Sequence, residues 1–182
     1  MTAEPPPSGF HLWLTPEREA MNLLQSVVEH LAKVHGGPVF VPHITLLSGL
    51  SGDEQTLIEK CRRLAEEVGQ VHIELTAPEV GTSYFQCVYM GVVESHPVMQ
   101  ARQAAGEIFG LSKEGFLPHL SLYYGNNSRE HRAKIMAAVP DNARCSFEVG
   151  AIELIRATSD RPSDWHCVER APLITQGLSA SS

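Results

Sequence analysis

Apolar positions recur along the chain with two periods, and the period tells helix from strand. Ala20, Met21, Leu24, Val27, Val28 and Leu31 stand three and four apart, which places them on one face of a helix; Leu57, Ile58, Cys61, Leu64, Ala65 and Val68 repeat the pattern. Met21, Phe109 and Met136 sit on such helical stripes and are assigned to the core. Shorter apolar runs bounded by turn residues predict strands over 10–14, 39–47, 71–80, 86–93, 116–123, 145–157 and 165–170. Capping chemistry sets the ends. Thr15 followed by Pro16 predicts a helix start, and His35-Gly36-Gly37-Pro38 its stop. Ser51-Gly52-Asp53-Glu54 reads as a capping box for a helix to about Gly69, Ser95-His96-Pro97 opens one that ends near Gly110, and Ser128 caps another to about Val139.

Pro42 and Pro118 fall inside two predicted strands, and several strands follow one another without a helix between them. Both features argue against a fully wound parallel sheet. The expected fold is α+β and two-lobed, with duplicated mixed or antiparallel sheets, flanking helices and a central cleft. The expected organisation is a disordered segment over 1–8, a single bilobal domain over 9–172 and a flexible tail over 173–182.

The duplication rests on a repeat. Val41-Pro-His-Ile-Thr-Leu-Leu-Ser-Gly49 aligns with Leu117-Pro-His-Leu-Ser-Leu-Tyr-Tyr-Gly125 at an offset of 76 residues, with Pro, His, Leu and Gly identical and Thr45 matched to Ser121. In an extended chain residues i and i+2 share a face, so each copy presents an imidazole and a hydroxyl to one side: His43 with Thr45, and His119 with Ser121. Each proline restricts φ just ahead of its histidine and donates no hydrogen bond, as suits a strand entry. Two imidazoles that titrate near neutrality can serve as base and acid in one turnover, as metal-free phosphodiester hydrolysis requires, and the hydroxyls can hold the phosphoryl oxygens. Zinc is the competing use of paired histidines, but neither strand carries a third good ligand at i+2, so no metal and no cofactor are expected. His11, His30, His35, His72, His96, His131 and His166 have no such partner motif and are assigned surface or structural roles.

Charge narrows the ligand. With 14 basic against 21 acidic residues in 182, the net charge is -7, which opposes a broad grip on polymeric nucleic acid but leaves a small anion, met locally, as a fitting ligand. No apolar run approaches a membrane span, and the first residues lack the basic and apolar regions of a signal peptide, so a cytoplasmic, monomeric protein is the expectation. Cys61, Cys87, Cys145 and Cys167 contain no CxxC pair and are assigned as free, largely buried thiols.

These motifs resemble the two-histidine phosphoesterase superfamily. Within it, Phe10-His-Leu-Trp-Leu-Thr-Pro16, Pro-His-Ile-Thr-Leu47 and Pro-His-Leu-Ser-Leu-Tyr-Tyr124 are most similar to the plant and fungal cyclic phosphodiesterases, over residues 9 to about 172. Those enzymes open ADP-ribose 1'',2''-cyclic phosphate, a product of tRNA splicing, and nucleoside 2',3'-cyclic phosphates to the 2'-phosphate. The resemblance implies His43 and His119 as the acid-base pair, Thr45 and Ser121 as phosphate holders, Tyr124 as a pocket wall and Trp13 as a stacking surface for a base, with small cyclic nucleotides as partners. Some plant members pair cysteines, and Cys61 and Cys167 match one such pair in position. Two other readings stand beside this one: an RNA-end 2',3'-cyclic phosphodiesterase sharing both motifs, and a non-catalytic nucleotide-binding module.

Overall fold

The computed structural model describes residues 9–111 and 115–173. Segment 1–8, and the tail beyond residue 173, lie outside the described residues. In chain order the elements are β1 (Gly9–Pro16), α1 (Arg18–His35), β2 (Ile44–Leu50), α2 (Glu54–Val68), β3 (His72–Val80), β4 (Val88–Val92), α3 (His96–Phe109), β5 (His119–Tyr123), α4 (Arg129–Ala137), β6 (Ser146–Ala157) and β7 (His166–Pro172).

All strand pairings are antiparallel. The order β1-β2-β5-β4-β3-β6 closes on itself because β6 also pairs with β1, and β7 lies along the other edge of β6. The result is one closed, barrel-like sheet with four helices rather than a mixed sheet or two separate sheets. Closure satisfies strand edges that a small open sheet would leave unpaired. Leu14, Ile44, Leu120 and Met90 lie side by side across β1, β2, β5 and β4, and each is fully buried. That row anchors β2, which His43 immediately precedes, and β5, which His119 opens, and α1 and α2 add Leu24, Val27, Val28 and Leu31, and Leu57, Cys61, Leu64 and Ala65, to the core.

Several boundaries differ from the pattern-based expectation, each for a local reason. Pro16 ends β1, and α1 begins two residues later with Glu17 as its N-cap, because residues 9–16 are held in the ladder with β6. Asp53, not Ser51, caps α2, its carboxylate accepting from the Thr56 N–H at 2.9 Å. β2 and β5 start just after Pro42-His43 and Pro118, since proline cannot donate to a ladder. Met21, Phe109 and Met136 are partly rather than fully buried. The four cysteines are free thiols; the Sγ of Cys61 points to Ile152 O at 3.8 Å and that of Cys167 to Glu169 O at 3.2 Å, so the pairing implied by resemblance is not formed. No helix among the described residues is long and apolar enough to cross a membrane.

Candidate active site

β2 and β5 pair antiparallel through Ile44 and Leu120, which are equivalent positions of the repeat. An antiparallel pair with that register sets His43 opposite Ser121 and Thr45 opposite His119, one residue to either side. Ile44 and Leu120 point into the core, so the four polar residues share the other face. His43, Thr45 and His119 line a cavity of about 760 Å³ together with Trp13, Tyr124, Phe85, Trp165 and Arg102.

Each histidine is held alike at one nitrogen. The Nδ1 of His43 lies 2.6 Å from Val41 O, and that of His119 lies 3.0 Å from Leu117 O. A carbonyl only accepts, so Nδ1 carries the proton in both bonds and leaves Nε2 for chemistry. The rings differ in surroundings. His43 is 7% exposed and stacks flat on Trp13, with ring centroids 3.5 Å apart and planes at 8°. Burial pushes its pKa from the ordinary 6.5 to about 3; the Val41 carbonyl opposes this, while charge on His119 and His11 reinforces it. His119 is half-buried at the start of β5 and meets Tyr89 edge-on at 5.4 Å, the Tyr89 hydroxyl donating to Glu79 Oε2 at 3.2 Å.

The hydroxyls differ too. Thr45 faces the cavity. Ser121 is buried and its hydroxyl donates to Phe85 O at 2.8 Å, and it is not among the lining residues. Tyr124 is buried, stacked on Phe40 at 3.7 Å, and its phenol is raised above the usual tyrosine range, mainly by burial. Trp13 is placed at the site, but one face is taken by His43 and its edge meets Trp165 at 5.8 Å. Phe85 and Trp165 also line the cavity; they sit 6.1 Å apart and both reach Tyr124.

Sequence reasoning missed Phe85, Trp165, Arg102 and His11. The first three come from a loop, a turn and α3 with no motif to mark them. His11 was assigned a surface or structural role, yet it is 8% exposed and lines the cavity, with Nε2 buried and without a partner; burial lowers its pKa. Its signal was the period of β1, in which His11, Trp13 and Thr15 share a face. Among the described lining residues there is no Asp or Glu, while one arginine and three histidines are present, in a chain of net charge -7. That wall favours an anion.

The family model for "Cyclic phosphodiesterase-like protein" matches residues 8–158. The chain belongs to this cyclic phosphodiesterase-like family. Its sequence is 30% identical over 128 residues to the cyclic phosphodiesterase of Arabidopsis thaliana, covering 68% of each protein. Solved structures share the fold of this cyclic phosphodiesterase-like chain. A phosphoesterase aligns with a TM-score of 0.64 at 15% identity, over 93% of this chain and 99% of that one. TT0787 of Thermus thermophilus gives 0.63 at 18%, over 92% and 99%. Apo LigT of E. coli gives 0.62 at 17%, over 94% and 100%.

Proposed function

We propose that the protein hydrolyses nucleoside 2',3'-cyclic phosphates to 2'-phosphates, and opens ADP-ribose 1'',2''-cyclic phosphate, by two-histidine acid-base catalysis that needs no metal or cofactor, acting as a cytoplasmic monomer on small molecules. The carrying observation is the pairing of the two His-x-Thr/Ser strands at equivalent residues, which gathers both imidazoles around one cavity without carboxylates among its described lining residues.

The surroundings of the two rings divide the work. His43, buried and neutral, offers the Nε2 lone pair as the base; His119, reached by water, serves as the acid. Water attacks phosphorus as His43 takes its proton. In a 2',3'-cyclic phosphate the P–O bond to the 3' oxygen breaks as His119 protonates the leaving alkoxide. One proton is taken up and one released, so solvent exchange alone resets the pair. Thr45 donates to a non-bridging oxygen, and Ser121 joins it by exchanging Phe85 O for a phosphoryl oxygen. Tyr124 backs the pocket, Trp13 fixes the plane of His43, and Phe85 with Trp165 stack on the base.

The test is turnover of adenosine 2',3'-cyclic phosphate, ADP-ribose 1'',2''-cyclic phosphate and an oligoribonucleotide ending in the cyclic phosphate, in excess chelator, with product isomers assigned by phosphorus NMR. Full activity, 2'-phosphate products from the 2',3'-cyclic substrates and only a gentle fall with salt are expected, since few counterions are released on binding one or two phosphates. Activity restored only by zinc would move the site to the metal class. A kcat/KM at least about tenfold higher for the oligonucleotide than for ADP-ribose cyclic phosphate, with a steep salt slope, would instead make it an RNA-end enzyme.

A further inference from the structure

The register that pairs β2 with β5 also orders the cavity along the strands. At one end lies the row of His43 and Ser121, whose hydroxyl meets the Phe85 carbonyl; Phe85 leads to Tyr124 and Trp165. At the other end, three residues along, β2 reaches Leu46 and β5 is preceded by Phe116 and Leu117. Arg102 of α3 stands at this second end. Its Nη1 donates to Leu46 O at 2.6 Å, and its guanidinium carbon lies 5.1 Å from the centre of the Phe116 ring. Ser48 lines the wall beside it. Three residues of strand span about 10 Å, so Arg102 at Leu46 stands about 10 Å along β2 from the row of His43 and Ser121, with the row of Thr45 and His119 between them. Arg102 is the permanent cation among the described lining residues, and its planar fork suits the oxygens of a phosphoryl group.

Resting on the phosphodiesterase reading above, we infer that Arg102, with Ser48 and the Phe116 face, forms a second anion subsite that takes a phosphoryl group on the ribose 5' oxygen of the cyclic phosphate substrate. In ADP-ribose 1'',2''-cyclic phosphate the reacting ribose carries no base; in a nucleoside 2',3'-cyclic phosphate the base lies toward Phe85 and Trp165, the cyclic phosphate between His43 and His119, and the 5' phosphoryl at Arg102. That group is a monoester in a 5'-phosphorylated nucleoside cyclic phosphate and a diphosphate in ADP-ribose cyclic phosphate. Arg102 thereby sets specificity without joining the bond-breaking step.

Three substrates separate the possibilities: adenosine 2',3'-cyclic phosphate, its 5'-phosphorylated form, and ADP-ribose 1'',2''-cyclic phosphate. In the wild-type protein the 5'-phosphorylated form should exceed the first by about tenfold or more in kcat/KM, chiefly through KM, as expected for one charge-assisted contact. In Arg102→Gln that ratio should fall to about one, with Arg102→Lys intermediate because it keeps the charge and loses the fork. A matching loss on ADP-ribose cyclic phosphate assigns the diphosphate to the same subsite, and a loss on only one of the two assigns that one as the group read. A wild-type ratio near one, or a ratio unchanged in Arg102→Gln while circular dichroism shows an intact fold, overturns the subsite. Calorimetric titration with adenosine 5'-monophosphate and adenosine reads the same contact without turnover: tighter binding of the monophosphate by about tenfold in wild type and not in Arg102→Gln supports it, and equal binding overturns it. Should none of the cyclic phosphates be hydrolysed, the phosphodiesterase reading fails, while the calorimetric difference still decides the subsite.

Discussion

The two copies of the repeat spell nearly the same letters in different environments. His43 lies under the sheet wall, stacked on Trp13, 7% exposed and depressed to a pKa of about 3. His119 sits at the rim, between exposed Leu117 and the edge of Tyr89. Thr45 faces the cavity, whereas Ser121 is turned to Phe85 O. Even the closing glycines serve different ends: Gly49 has a φ of 70°, a left-handed conformation that other residues adopt at a cost, while a side chain at Gly125 would run into the Tyr123 ring and Asn127. The repeat thus supplies two like groups, and the neighbours make them unlike. An acid and a base must differ in protonation at one pH, and unequal burial is a direct way to set them apart.

Removing each imidazole tests this division most severely. His43→Ala and His119→Ala should each lower kcat by about 10² to 10⁴-fold on adenosine 2',3'-cyclic phosphate, with circular dichroism confirming the fold. Roles separate on an aryl phosphodiester such as a nitrophenyl ester, whose leaving group needs no proton: the loss in His119→Ala should shrink to about tenfold or less, while that in His43→Ala persists. The reverse pattern would exchange acid and base. Next in size are the hydroxyls. Thr45→Ala should reduce kcat by about 10² to 10³-fold and Ser121→Ala by about tenfold, because Ser121 has another acceptor to give up before it can serve phosphate. Equal losses would show that Ser121 reorients fully when substrate binds.

The smallest effect is thermodynamic and concerns His43 alone. Its folded pKa lies below the unfolded 6.5, so between about 6.5 and about 3 the unfolded chain binds a proton that the folded one refuses. Stability is therefore highest above pH 6.5 and falls as pH drops through that window, by about 2 to 3 kcal/mol at pH 4.5. Urea unfolding at pH 7.5 and 4.5 should show this fall in the wild type and a smaller one in His43→Gln; His11, depressed in the same direction by burial, retains part of it. An identical pH dependence in His43→Gln would mean that the imidazole is hydrated in solution.

What could be read without coordinates was local or repeated. The three-and-four spacing of Leu24, Val27, Val28 and Leu31 marked the buried face of α1, and the period of two put His43 with Thr45 and His119 with Ser121 on shared faces. Ser128 does cap α4, accepting from the His131 N–H at 3.2 Å. Capping was legible only to within two residues at Asp53, since Ser51 and Asp53 offer the same kind of acceptor and the chain's entry angle chooses between them.

The helices, most of the strands, the repeat and the chemistry of its paired imidazoles follow from the order of the residues, because each depends on neighbours within a few positions or on letters that recur. Long-range packing set the rest: β6 returns to β1 and closes the sheet, Trp13 stacks on His43, Ser121 turns to Phe85, Trp165 meets Trp13, and Arg102 of α3 reaches Leu46 at the cavity. These are contacts between segments tens of residues apart, and periodicity carries no information about which distant face a strand will meet. Burial, and with it the difference between the two imidazoles, belongs to that second class.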